Sequence, residues 1–324
     1  MMVLGLSAHS PLASAALLVD GELVAAAAEE RFSRQRDDAA FPERAIAFCL
    51  ERARMLSGHG AVDRVAVVDR ADFRSQPARP TLAELRGAVA GWTDKQSLRR
   101  RIRQATGIEP DRILFVDAMR AHAANAFLLS PFDRANLIVA DGAAASAMTA
   151  TGVGEGASVD LEAYAMQPVS GDVLARIAAD IASHTGVSRF CLSGSRAADA
   201  AAVATLLSAP AVHELFVPPA VQADGAALGA ALHLVHVAAG EPRIFALDHA
   251  FWGHDLARDD AVRASAASGL TSVECDEDEL LSRAVDLLAA GRVIGWAQEA
   301  AEWGSRPLGH RSVLAGLPFA AALL

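Results

Sequence analysis

The sequence predicts a two-lobed α/β protein. Three observations carry that prediction: three short apolar runs open the chain, strand-like and helix-like stretches alternate on both sides of a glycine-rich segment at Thr151 to Ser158, and glycine turns fall at the ends of the strand-like runs. With 324 residues, the chain is long enough to bury a sizeable core without metal or disulfide staples. The expected lobes are residues 1–150 and 151–324, two halves of one module.

Val3 to Ser7, Ser14 to Val19 and Leu23 to Ala28 read as strands. The last two meet at Asp20-Gly21, where glycine supplies the positive φ of a tight hairpin. A dinucleotide fold would open as strand, glycine loop and helix; a three-strand ribbon instead suits the actin-like (sugar-kinase-like, ASKHA) domain. Pro42 then opens a helix to about Met55, with Ala45, Ile46, Phe48, Cys49 and Ala53 on its apolar face. Ala61 to Asp69 reads as a buried strand, and Phe73 to Gln104 as a peripheral helical excursion. Ile113 to Val116 is a strand, Ala118 to Leu129 a helix, and Ala135 to Ala140 a strand that ends in Asp141-Gly142.

Thr151 to Ser158 reads as a loose break between the lobes. Beyond it come a helix at Val173 to His184, a strand at Arg189 to Ser193, a helix at Ala197 to Leu207 and a strand at Glu214 to Val217. Asp224 to Val237 is a helix whose Gly225, Gly229 and alanines permit close approach of another backbone. The acidic run from Glu274 to Glu279 precedes the apolar stripe Leu280, Leu281, Val285, Leu287 and Leu288, as expected of acids placed at the positive end of a helix. Val293 to Trp296 is the last clear strand.

Composition narrows the function. A net charge of -10 argues against general nucleic-acid binding, which needs clustered positive charge. Lys95 is the single lysine, so an anion must be held by arginine or by backbone N–H groups. Cys49, Cys191 and Cys275 lie far apart with no CxxC spacing, which reads as reduced thiols. Neither a signal-like start nor an apolar run of about 20 residues occurs, so the expectation is a cytoplasmic protein off the membrane.

Asp141-Gly142 is the best local site signal, because a strand-end carboxylate beside a glycine turn can meet a phosphate or a metal ion. His122, on the preceding helix, is its candidate partner, and the two would make a weak metal site. Gly194-Ser195-Arg196 follows a strand and offers a backbone nest with a guanidinium beside it. In the polar segment Glu302 to Ser312, Arg306 and Arg311 suit bidentate recognition of a carboxylate or phosphoryl group, the alternative being a salt-bridged surface loop. A nucleophile elbow, a Walker loop, a zinc cluster and a dinucleotide fingerprint are all absent in convincing context.

These blocks resemble the O-carbamoyltransferase family of nodulation and antibiotic-tailoring enzymes. The matching stretches are Val3 to Ser7, Ala15 to Gly21, Glu29 to Arg34 through Phe41-Pro42, Ala121 to Ala124 with Ala126-Phe127, Ser130 to Phe132, Asp141-Gly142, Gly225 with Ala227 to Ala231, and Gly295-Trp296 with Gln298, Glu302, Gly304, Arg306, Leu308-Gly309 and Arg311-Ser312. The resemblance implies an actin-like domain that passes a carbamoyl group from carbamoyl-adenylate to an acceptor hydroxyl, with a divalent metal, usually iron. It also implies a following domain that makes the adenylate from carbamoyl phosphate and ATP, which this chain is expected to lack.

By the same resemblance, His122, Asp141 and Arg306 are candidate catalytic groups, and Gly142, Gly194, Ser195, Arg196, Asp224, Gly225 and Arg311 are candidate nucleotide contacts. The sequence departs from the family where its chemistry lies. The early His-Asp pair falls on Pro11 and Leu12, one metal histidine on Ala118, and the late metal aspartate on Ala223 next to Asp224. The acid that should follow the Asp141-Gly142 turn is missing from Ala143 to Ala145. Two readings stay open: a transferase served by a partner that supplies the adenylate, with metal weak or absent, or a non-enzymatic scaffold or regulatory partner of a full-length carbamoyltransferase. Either one implies a homodimer or a hetero-oligomer.

Overall fold

In a computed structural model the described residues are 1–58, 60–69, 95–142, 147–166 and 169–316. The chain divides into two compact units, Met1–Asp248 and His249–Leu324. Most of the segment expected as a helical excursion, 73–94, and the Ala143 to Ala145 stretch lie outside the described residues.

The first unit contains two five-stranded sheets. In one, strands β1 (Met2–Ser7), β2 (Ser14–Val19) and β3 (Glu22–Ala28) form an antiparallel ribbon. Strands β4 (Arg64–Asp69) and β5 (Ile113–Asp117) extend it in parallel from the other side of β1, giving the order β3-β2-β1-β4-β5. In the other sheet, β6 (Arg134–Asp141), β7 (Met148–Glu155) and β8 (Ser158–Met166) form the ribbon. There β9 (Arg189–Ser193) and β10 (Glu214–Phe216) are the parallel pair, in the order β10-β9-β6-β7-β8. Read from its first strand, each sheet has the same topology. This duplicated pattern is the actin-like, sugar-kinase-like fold that the opening ribbon predicted.

The loose break expected at Thr151 to Ser158 is a correction: the segment is the end of β7 and its turn into β8. Gly152 and Gly154 belong to a crowded strand, and Gly156 to the turn. A methyl group on Gly154 would sit 2.4 Å from the Phe127 ring, so the strand packs on that ring only without a side chain. The second sheet therefore opens at Arg134, and a division at 150/151 would cut through β7.

Helices cover the sheets crosswise. Helix α1 (Glu30–Ser33) leads into α2 (Glu43–Ser57), which packs on β2 and β3. The Glu29 carboxylate caps α2 from outside, accepting the N–H groups of Arg44 and Ala45 at 3.0 and 2.9 Å, two of the donors a helix start leaves unpaired. Residues 95–106 form α3. Helix α4 (Ala118–Leu128) follows β5 of the first sheet but packs on β6, β8 and β9 of the second. Helices α5 (Gly171–Thr185) and α6 (Ala200–Leu207) cover the other side of that sheet through Leu174, Ala178 and Leu206. Helix α7 (Ala223–Leu232) follows β10 yet lies on β1, β2 and β4, and it also packs against α4.

All ten residues of α7 are buried. Its alanines and glycines let it approach α4 so closely that a methyl group on Gly229 would stand 1.8 Å from the Ala121 carbonyl oxygen. A π-helical segment, His233–Ala238, continues it. Cys49 and Cys191 are buried free thiols, and burial pushes Cys191 up to about 12.

The second unit holds α8 (Arg258–Ala267), α9 (Glu277–Ala289) and an antiparallel pair, β11 (Val293–Ala297) and β12 (Arg311–Ala315). Asp276 caps α9 by accepting the Glu279 N–H at 2.8 Å, so the acidic run does sit at the positive helix end. Neither α8 nor α9 has a buried residue, and the stripe at Leu280, Leu281, Val285 and Leu287 is exposed. Among the described residues no helix is long and apolar enough to cross a membrane.

Candidate functional site

The strongest cluster lies at the carboxyl ends of β6 and β9. His122, on α4, is fully buried; its Nε2 is 3.5 Å from Oδ2 of Asp141, and its Nδ1 is 3.5 Å from Oγ of Ser193. Asp141 closes β6 and keeps 18% of its side chain exposed, so it is the member of this pair that reaches solvent. Its Oδ1 accepts the Ser195 N–H at 3.0 Å, while Ser195 Oγ accepts the Gly142 N–H at 3.0 Å. The two turns singled out in the sequence are thus laced together.

Gly194 makes the second turn possible with φ of 93°, and its N–H donates to the Val221 carbonyl at 2.9 Å. Of the nest expected at Gly194-Ser195-Arg196, two N–H groups are therefore already used inside the protein, one of them by a carboxylate. Arg196 pairs with Asp199 at 3.0 Å, with both side chains partly exposed.

Asp224 sits buried at the start of α7, where its Oδ1 accepts the N–H groups of Gln222 and Gly225 at 3.1 and 2.8 Å. Burial pushes this carboxyl up to about 6, against the pull of those two hydrogen bonds and of nearby His122. It therefore takes up a proton at a higher pH than an ordinary aspartate does.

The donor set does not fit a resident divalent ion. Ala118 and Ala223 offer no ligand atom where the resemblance places histidine and aspartate, and among the described residues no group of three His, Cys, Asp or Glu could hold a metal. Two ligands, His122 and Asp141, leave most of a coordination shell unfilled. At the position of the early His-Asp pair, Pro11 is exposed and Leu12 is buried in a left-handed conformation with φ of 62°.

In the second unit, the segment Glu302 to Arg311 is built around its own acid and base. Oε1 of buried Glu302 accepts the N–H groups of Leu308, His310 and Arg311 at 2.8, 2.9 and 2.8 Å. Burial alone would raise this carboxyl, but the backbone donors outweigh it and hold the group below its usual range. The Arg311 guanidinium donates to four carbonyls, those of Gln298, His310, His254 and Glu299. The anion contact expected of Arg311 is thus taken up internally, and Arg306 is exposed on the same segment. Two groups escaped the site reading: Ser193, whose signal was its place at a strand end just before the glycine turn, and the anchoring role of Glu302, which no local pattern reveals.

The sequence from 285 to 321 matches the family model described as Carbamoyltransferase C-terminus. Nodulation protein NolNO of Sinorhizobium fredii is 25% identical over 394 residues, covering 93% of this chain and 58% of that protein. Nodulation protein NolO of Bradyrhizobium diazoefficiens is 39% identical over 134 residues, covering 40% of this chain and 24% of that protein. The chain thus spans little more than half of the longer match. Among solved structures, a ROK hexokinase from Thermus thermophilus is similar at a TM-score of 0.41 and 16% identity, over 74% of this chain and 100% of that one.

Proposed function

We propose that this chain, a relative of the carbamoyltransferases, transfers a carbamoyl group from carbamoyl-adenylate to a hydroxyl of a small natural-product acceptor, with a partner supplying the adenylate. The observation that carries the reading is the laced pair of turns, with Asp141 reaching solvent and His122 buried behind it. Strand ends of open α/β sheets are where ligands bind.

In this scheme the acceptor O–H gives its proton to Asp141, with His122 packed behind the carboxylate at 3.5 Å. The acceptor oxygen bonds to the carbamoyl carbon, the bond from that carbon to the adenylate oxygen breaks, and AMP leaves with the electron pair. A positioned base of this kind contributes about 100- to 10,000-fold. No step runs through a metal.

A second reading, a non-enzymatic scaffold beside a full-length carbamoyltransferase, is favoured by one observation: the Asp141 carboxylate already holds the Ser195 N–H that a phosphate would use. Both readings call for a companion chain or a second copy.

Calorimetry with ATP, AMP and a non-hydrolysable carbamoyl-adenylate analogue separates the two readings. Binding of the analogue that falls at least tenfold in Asp141→Ala supports the transferase. No heat at millimolar concentration with any of the three overturns it in favour of the scaffold.

A further inference from the structure

Arg64 opens β4 and Arg112 immediately precedes β5. Val65 of β4 stands opposite Ile113 of β5, so the residues just before them, Arg64 and Arg112, come to the same edge of the sheet, Arg112 as the last residue of a 3₁₀ turn at Pro110–Arg112. Two like charges brought to one edge repel each other. Among the described residues neither guanidinium has an ion-pair or hydrogen-bond partner.

Both line a cavity of about 280 Å³, together with Asp111, Ile113, Leu234 and Ala238. The cavity opens at the amino ends of β4 and β5, the far end of the sheet from Asp69 and Asp117, which close the same strands. Leu234 and Ala238 belong to the π-helical segment that continues α7. The pocket therefore shares no residue with the His122–Asp141 cluster.

We infer that this cavity is a phosphate site, taking inorganic phosphate or the phosphoryl end of a small monoester between Arg64 and Arg112. Two forked guanidiniums match phosphoryl oxygens and relieve their own repulsion when an anion lies between them. Asp111 fixes the choice among anions. An unprotonated carboxylate beside an anion repels it unless the anion carries an O–H that the carboxylate accepts. Hydrogen phosphate has that proton near neutral pH and sulfate does not. The lining holds no aromatic ring to stack on a nucleotide base, so the ligand we assign is phosphate itself or a short ester. This inference stands apart from the proposed transfer reaction, because none of its residues takes part there.

The test is a calorimetric titration of the full chain with inorganic phosphate, glycerol phosphate, sulfate and chloride at matched ionic strength, repeated on Arg64→Gln, Arg112→Gln and Asp111→Asn. Phosphate should bind at least tenfold more tightly than sulfate. Each arginine change should weaken phosphate at least tenfold, and Asp111→Asn should bring phosphate and sulfate within about threefold of each other. A preference for glycerol phosphate identifies an ester as the ligand, and equal or tighter binding of inorganic phosphate identifies the free ion. Arg134→Gln, which breaks an exposed ion pair with Glu155 outside the cavity lining, should change nothing. Phosphate affinity within twofold of chloride, or unchanged in the variants that stay folded by circular dichroism, overturns the inference. If one arginine variant fails to fold, the other and Asp111→Asn decide.

Discussion

Asp141 and Ser195 fasten each other's turns: the carboxylate accepts the Ser195 N–H at 3.0 Å, and the Ser195 hydroxyl accepts the N–H of the residue after Asp141 at the same distance. A ligand that needs the Ser195 N–H must first displace a carboxylate. Charge and acceptor can be separated here, because asparagine keeps an oxygen for the N–H and loses the charge.

Asp141→Asn should therefore leave stability within about 1 kcal/mol of the parent. It should lower any carbamoyl transfer, assayed with a supplied adenylate-forming partner, by about 100-fold or more. Urea melts and initial rates on the same preparations check both halves.

Asp224 makes the fold weaker as the solution becomes less acidic. Its carboxyl is raised from 3.8 to about 6, so between those values the folded state holds a proton that the unfolded chain has released, and stability falls as pH rises through that window. A shift of that size corresponds to about 3 kcal/mol. Asp224→Asn should be more stable than the parent at pH 7.5 by up to that amount, with the gain vanishing near pH 3.8. Chemical denaturation at several pH values reads the difference directly.

Glu302 has the opposite sign. Its carboxyl is held below the ordinary 4.5, so its contribution is complete above that value and disappears as acid titrates the folded group. Glu302→Leu would strand three backbone N–H groups at about 1 to 3 kcal/mol each, whereas Glu302→Gln keeps an acceptor for some of them. Hydrogen exchange over 302–311 should accelerate in the leucine variant at pH 6 and in the parent only under strongly acid conditions.

Gly229→Ala should cost about 3 kcal/mol or more, because the new methyl meets a backbone oxygen at 1.8 Å and neither helix is free to step aside. Gly58→Ala, with open space around its Cα, isolates the steric part: it pays only for its positive φ of 75°. Thermal melts of the two variants should differ clearly.

Much of the architecture was legible because its signals are local. The opening ribbon carries Asp20-Gly21 at its hairpin, and α2 carries Pro42 at its start. The ribbon β7–β8 was hidden by its glycines, which mark loops by composition, although Gly152 and Gly154 stand here where a neighbouring strand and Phe127 crowd the backbone. Its signal was the alternation of Val159, Leu161 and polar neighbours, outvoted by glycine content. The candidate site was half legible. Strand-end turns announce themselves, whereas the lacing of Asp141 to Ser195 and the burial of Asp224 depend on residues far apart in the chain.

The crosswise helices set an order for making the protein. The sheet β1–β5 is finished by chain position 117, yet the surface meant for α7 stays bare until Leu232 has been synthesised. A nascent chain halted anywhere in between presents a wet apolar sheet face to whatever is nearby, at the slow pace of translation. The early half of the molecule should thus be a chaperone client on the ribosome, and fragments ending before α7 should be captured by holdases or precipitate. A gene split between the sheets would yield two pieces that fold only in each other's presence.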